Sequence, residues 1–182
     1  AVRFGGGHRA LLAVCHGRAA YGMLRPCCAT FLNFFGYAAG ALRVSALSNF
    51  GVTCIATHDS IGLGEDGPTH QPVEALTTLR ATPNLLTIRP ADANEVAGAY
   101  LIALERSTMP TVIALSRQGC ANLDGSSAAN VRRGAYVLST PTNGEAPQLV
   151  LLGTGSEMQT LLAAATGPLA ELKISLVSMP CW

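Results

Sequence analysis

Apolar residues fall along the chain in short runs that alternate with longer stretches of helical spacing. Residues 9–20, rich in alanine and leucine, read as a short helix closed by Arg25-Pro26. A buried strand over 27–31 follows, then Ala, Leu and Val at helical spacing over 32–47. A second apolar run over 51–57 is bounded by glycine before it and a polar stretch after it. Gln71-Pro72 reads as a helix start, with proline near the first helical position and Glu74 in the first turn, and Thr82-Pro83-Asn84 ends that helix near Arg80. A strand over 85–88 leads to Asp92, a candidate N-cap with Glu95 three residues on, and to a helix over about 93–106. Thr111 opens a further buried strand over 111–115, which runs into Ser116-Arg117-Gln118.

Strand and helix alternating in this way predict an α/β fold: a doubly wound, mostly parallel sheet with helices on both faces. Ligands of such sheets gather at the carboxyl ends of the strands. From 119 to 146 the composition shifts to Ser, Asn, Gly and Pro, with only 135–138 apolar, which reads as a surface linker with room for one short strand. A strand over 148–152, a helix to about 165 and a strand over 173–178 then form one β-α-β unit, too small to close its own core. The expected organisation is therefore a first domain over 1–118, a linker over 119–146, and the start of a second, truncated α/β domain over 147–182. Gly153-Thr154-Gly155 follows a strand, but the third glycine of a dinucleotide turn is absent, so that reading is set aside.

Composition narrows the function. Hydrophobic residues make up 49% and charged residues 13%, with a formal net charge of +1 and no Lys/Arg run, so a phosphate-tracking nucleic-acid surface has no support. Every apolar run is interrupted well short of the ~20 residues a membrane-spanning helix needs. The six cysteines show no CxxC pair and no ligand spacing, and read as reduced, buried thiols of an intracellular protein. Both ends, at Ala1 and at Met179-Pro180-Cys181-Trp182, read as cuts through a longer protein.

Candidate chemistry concentrates in His58-Asp59-Ser60-Ile61-Gly62-Leu63-Gly64-Glu65-Asp66-Gly67-Pro68-Thr69-His70-Gln71-Pro72, directly after the 51–57 run. Two histidines, three carboxylates and three glycines in fifteen residues suit a site better than a core. Histidine moves protons near neutral pH, a carboxylate can hold a sugar hydroxyl, and an arginine fork such as that of Arg117 matches phosphate. Together they point to a phosphorylated polyol. Phe31, Phe34 and Tyr37 recur at every third position, a pattern that fits a core stripe more readily than a cofactor platform.

The stretch 57–72 resembles the signature of the transketolases, and so do Ala29-Thr30-Phe31-Leu32-Asn33-Phe34, Arg89-Pro90-Ala91-Asp92, Ala114-Leu115-Ser116-Arg117-Gln118 and Gly153-Thr154-Gly155-Ser156-Glu157. The resemblance implies most of a pyrimidine-binding domain and the opening of a C-terminal domain. It implies thiamine diphosphate with Mg2+ (or Ca2+), the metal and diphosphate ligands lying in an N-terminal domain that this chain lacks. It further implies a homodimer with the site at the subunit interface, sugar phosphates as substrates, and the cytoplasm or plastid stroma as location. By the same resemblance Phe31, Phe34 and Tyr37 pack around the aminopyrimidine, with Phe34 the main stacking residue, which reverses the core reading. His58 and Arg117 hold the sugar phosphate, Asp66 reads a substrate hydroxyl, and His70 lines the reacting carbons.

One position departs from the family. Where the family has Gly-Val-Arg-Glu-His, this chain has Gly5-Gly6-Gly7-His8-Arg9, so His8 stands at the position of the glutamate that activates the cofactor through its pyrimidine ring nitrogen. Imidazole differs from a protonated carboxyl in reach and in how it divides donor from acceptor. Three explanations stay open: a diverged, weakly active or non-catalytic protein, an error in the translated sequence near this end, and a histidine that substitutes in part. A dihydroxyacetone synthase, which shares much of the central signature, is the alternative within the enzyme class.

Overall fold

The computed structural model describes residues 6–141 and 144–182; Phe4 and Gly5, which anchor the comparison around His8, lie outside the described residues. The elements run α1 (His8–Tyr21), β1 (Cys27–Phe31), α2 (Phe35–Leu47), β2 (Thr53–Thr57), α3 (Ala75–Ala81), β3 (Leu86–Ile88), α4 (Ala93–Glu105), β4 (Thr111–Leu115), β5 (Tyr136–Ser139), β6 (Leu149–Gly153), α5 (Glu157–Thr166) and β7 (Ile174–Ser178). They fall into two compact units, one of residues 1–88 with 101–118 and one of residues 89–100 with 119–182.

The first unit is built on a four-stranded sheet of order β1-β2-β4-β3, parallel throughout. Its chain steps outward from β1 to β2 to β3 and then returns to place β4 between β2 and β3. Such a reversal of strand order is the mark of the doubly wound arrangement. Leu12 of α1, Leu32, Phe35, Ala38 and Leu42 pack with Val52, Cys54, Ala56, Val112 and Ala114 into one core. At the far end of the sheet Gly51 lies so close to the Ser107 carbonyl that a Cβ would stand 2.2 Å from its oxygen.

The second unit holds a three-stranded sheet of order β5-β7-β6. β6 and β7 are parallel, as the β-α-β reading predicts, whereas β5 joins antiparallel with Tyr136 opposite Ser178. The 119–146 stretch is thus more structured than its polar composition predicts: besides β5 it supplies a 3-10 turn at Asn130–Arg133 and the buried side chains of Leu123 and Val131. Glu95, fully buried, ties the unit together by accepting hydrogen bonds from the Tyr136 hydroxyl (2.7 Å), the Ser178 hydroxyl (2.5 Å) and the Ala91 N–H (2.7 Å). Asp92 caps α4 as expected, accepting from the Glu95 N–H at 2.9 Å, and its second oxygen accepts from the Leu123 N–H at 2.9 Å. Gly153 and Gly155 serve packing: a Cβ on the first would strike Leu161 and Met158, and one on the second, at φ +59°, would strike the Arg89 guanidinium.

Three expectations are corrected. The helix read over 32–47 begins as a separate 3-10 turn, Leu32–Phe34, before α2. The helix read from Gln71-Pro72 starts only at Ala75, while Pro68 opens a 3-10 turn, Pro68–His70, closed by an extended Gln71 (φ −90°, ψ 106°). Only Cys15, Cys28 and Cys54 of the six cysteines are buried, short of the expectation; Cys27 is exposed, and Cys120 and Cys181 are intermediate. A hydrogen bond with Cys28 and burial push the Cys15 thiol up, so this core thiol is unreactive. No helix among the described residues is long and apolar enough to cross a membrane.

Candidate active site

Strand register brings the candidate segments to one edge. Phe31 at the end of β1 is opposite Thr57 at the end of β2, and Thr57 is opposite Leu115 at the end of β4. The segments 32–37, 58–71 and 116–118 therefore leave the sheet at the same level.

The junction from β1 to α2 sorts its aromatic residues by direction. Phe35 turns into the core at 3% exposure, while Phe31 and Phe34 are half-buried and Tyr37 is 69% exposed. The every-third spacing thus marks an open aromatic surface, not a core stripe. Phe31 and Phe34 lie 5.5 Å apart, centroid to centroid, with planes 29° apart, and Tyr37 stands 6.1 Å from Phe34.

Both loop histidines meet this surface. His58 has left-handed backbone (φ 60°), a conformation that costs a non-glycine residue about 1–2 kcal/mol. Its ring centroid lies 3.9 Å from that of Phe31, and its Nδ1 is 3.0 Å from the Thr57 hydroxyl. His70 ends the Pro68–His70 turn and stands edge-on to Phe31 (5.5 Å, 62°) and to Phe34 (4.9 Å, 66°). Its Nδ1 is 2.9 Å from the Thr69 hydroxyl, and the Thr69 carbonyl accepts from Asn33 Nδ2 at 2.5 Å, which ties this turn to the Leu32–Phe34 turn.

The loop between the histidines supports itself. Ser60 Oγ accepts from the Gly62 N–H at 3.2 Å, and Gln71 Nε2 donates to the Ile61 carbonyl at 3.3 Å. Gly62 fits against the Gln118 amide, where a Cβ would come within 2.5 Å, so the loop rests on the segment that follows β4. Asp59 is buried at 3% exposure.

His8, the first residue of α1, completes the ring cluster: its imidazole lies 5.1 Å from Phe34 and 5.8 Å from Tyr37, nearly parallel to the latter at 22°. The fold thus brings together six of the eight candidate residues, His8, Phe31, Phe34, Tyr37, His58 and His70. Asp66 and Arg117 are exposed on their loops, outside the ring cluster, and neither bonds to another side chain among the described residues. A flat apolar surface beside two imidazoles, with an open carboxylate and guanidinium on adjoining loops, suits a heteroaromatic ring and a phosphorylated polyol. Sequence reasoning passed over Thr57, Thr69 and Asn33. The repeated Thr-His dipeptide, 57–58 and 69–70, was the available signal for the first two.

Comparison with known proteins places the chain in a family. The chain is 47% identical over 183 residues to the chloroplastic transketolase of Solanum tuberosum, an alignment that takes in 100% of this chain and 25% of that protein. The solved transketolase of Leishmania mexicana superposes with a TM-score of 0.92 at 47% identity, over 98% of this chain and 26% of that one. The transketolase of Pichia stipitis, solved in complex with sedoheptulose 7-phosphate, gives 0.90 at 44% identity, over 96% and 26%. The chain spans about a quarter of the length of the curated relatives it matches. The model of the transketolase pyrimidine-binding domain matches residues 9–121 and that of the transketolase-like C-terminal domain matches 134–182; on a match that takes in well over half of its residues, the chain belongs to the transketolase family.

Proposed function

We propose that this chain forms the pyrimidine-side wall of a transketolase site, in a protein that moves a two-carbon ketol unit from a ketose phosphate to an aldose phosphate in the pentose phosphate pathway or Calvin cycle. The observation that carries the reading is the single ring cluster in which His58 and His70 meet the Phe31–Phe34–Tyr37 surface. That surface fits the cofactor, because its aromatic faces stay half-buried or exposed where a core stripe would be closed. Thiamine diphosphate, when bound, supplies the carbon nucleophile that cleaves the bond next to the substrate carbonyl. The Mg2+ (or Ca2+) that accompanies the diphosphate belongs, in this reading, to other parts of the full-length protein. The working unit is a homodimer with the site at the subunit interface, in the cytoplasm or the plastid stroma.

In this reading Phe34 stacks on the aminopyrimidine, with Phe31 and Tyr37 beside it. His58 and Arg117 hold the sugar phosphate, and the free Arg117 fork is the stronger of the two because a guanidinium keeps its charge at any working pH. Asp66 accepts a substrate hydroxyl, and His70 faces the reacting carbons, where an imidazole can hold or release a proton. His8 is the residue that meets the pyrimidine ring.

One observation favours a second reading, a non-catalytic transketolase-like protein: the His8 ring lies against Phe34 and Tyr37, on the surface the pyrimidine needs. Ketol transfer from xylulose 5-phosphate to ribose 5-phosphate, measured on the full-length protein and on its His8→Glu variant, separates the two. Transfer that rises at least tenfold in the variant supports the enzyme and the role of position 8. Absence of transfer in both proteins, each folded, supports the non-catalytic reading.

A further inference from the structure

Two site histidines are each preceded by a threonine, and in both dipeptides the hydroxyl meets the same ring nitrogen: Thr57 Oγ1 to His58 Nδ1 at 3.0 Å and Thr69 Oγ1 to His70 Nδ1 at 2.9 Å. The two contacts arise from unrelated backbone. His58 follows a strand and turns back through a left-handed residue, whereas His70 closes a 3-10 turn that starts at Pro68 after Gly67 (φ 78°). Different local folds that reach one side-chain arrangement point to the arrangement itself as what matters.

A hydroxyl carries one proton and can also accept, and a neutral imidazole has one donor and one acceptor nitrogen. Neither threonine hydroxyl has another partner among the described residues, so donation to Nδ1 gives its proton a place, while acceptance from Nδ1–H would leave that proton to solvent. The bond made by one ring nitrogen sets the tautomer at the other. Donation to Nδ1 puts the imidazole proton on Nε2, the far side of the ring. Threonine suits the task because its branched side chain holds χ1 more firmly than serine.

We infer that Thr57 and Thr69 are positioning residues: each donates to Nδ1 of the histidine that follows it and so presents Nε2–H, from both His58 and His70, as a donor to an oxygen-rich ligand. The phosphate and hydroxyl oxygens of a sugar phosphate are acceptors of that kind, and this part of the inference rests on the function proposed above. Asn33, bonded to the Thr69 carbonyl, links the His70 dipeptide to the aromatic turn.

The test uses the full-length protein labelled with 15N-histidine, at about pH 8.5, roughly two units above the ordinary imidazole value. Resonances are assigned with His58→Gln and His70→Gln. The expected spectrum has a pyridine-type Nδ1 and a pyrrole-type Nε2 for both residues. Thr57→Val and Thr69→Val, which keep the branched shape, should each move the following histidine to mixed tautomers, and the corresponding serine variants should restore it. A pyrrole-type Nδ1 in the parent, or valine variants with unchanged tautomers, would overturn the inference. In kinetics each valine variant should raise KM for xylulose 5-phosphate about fivefold, more than it lowers kcat, with recovery in the serine variants. An unchanged KM beside shifted tautomers overturns the substrate half. A parent with the stated tautomers and no ketol transfer leaves the orientation of the histidines standing and rejects the proposed function instead.

Discussion

Removing one hydroxyl at Tyr136 should cost stability near neutrality and less with every step into alkali. Tyr136 is 6% exposed, and its hydroxyl donates at 2.7 Å to Glu95, which is fully buried. A hydrogen bond to a charged acceptor contributes about 1.5–3 kcal/mol. Tyr136→Phe leaves Glu95 two of its three donors, the Ser178 hydroxyl and the Ala91 N–H, so a loss near 2 kcal/mol at pH 7 is expected. Burial, and then the hydrogen bond to Glu95, push the Tyr136 phenol well above its ordinary value of 10.0. A group raised in the folded state contributes stability that is complete below its unfolded value and is lost as pH rises toward the folded one. The gap between the parent and Tyr136→Phe should therefore be constant up to about pH 9 and narrow above pH 10 by about 1.4 kcal/mol per unit. Urea unfolding of the reduced chain, read at its one tryptophan, Trp182, reports on the unit that holds Tyr136. A gap that stays constant from pH 8 to pH 11.5 would refute the claim that the buried phenol gives its proton to Glu95.

Asp92→Ala removes the α4 cap and the acceptor of the Leu123 N–H together, and should lower unfolding free energy by about 2–3 kcal/mol, with Asp92→Asn recovering part of it. Gly155→Ala forces a left-handed alanine whose Cβ would meet Arg89 at 2.8 Å, and Arg89 is the buried partner of Glu157; a loss of about 2 kcal/mol or more by urea unfolding is expected, and a neutral outcome would show that this turn can relax.

What the sequence reveals depends on how local the cause is. β1 and β4 match the expected strands residue for residue because each is a closed apolar run with a clear break at either end. The cap at Asp92 is legible for the same reason, since donor and acceptor are three residues apart. The partners that make Glu95 a hub lie 41 and 83 residues away, and no local pattern announces them. β5 falls on the one apolar run of its polar stretch, 135–138, where a short strand is expected, but its antiparallel partner β7 lies far along the chain and leaves no local mark. α3 begins late, at Ala75, because Pro72 marks where a helix can start and no local pattern says that it must. In the site, spacing alone could not tell an aromatic surface from a core stripe: Phe34 and Phe35 are neighbours, and only the 3-10 turn decides which faces inward. Residue chemistry located the loop of 58–72, whereas the resemblance to a family supplied the roles.

The central claim is that Phe34, in its cluster with His70 and His8, receives the pyrimidine ring of thiamine diphosphate. The affinity of the full-length protein for thiamine diphosphate, measured by calorimetry with and without Phe34→Ala, tests it most directly. Loss of a stacking face worth about 2 kcal/mol should weaken binding roughly thirtyfold. Equal affinity in the two proteins, with the variant folded, would contradict the account.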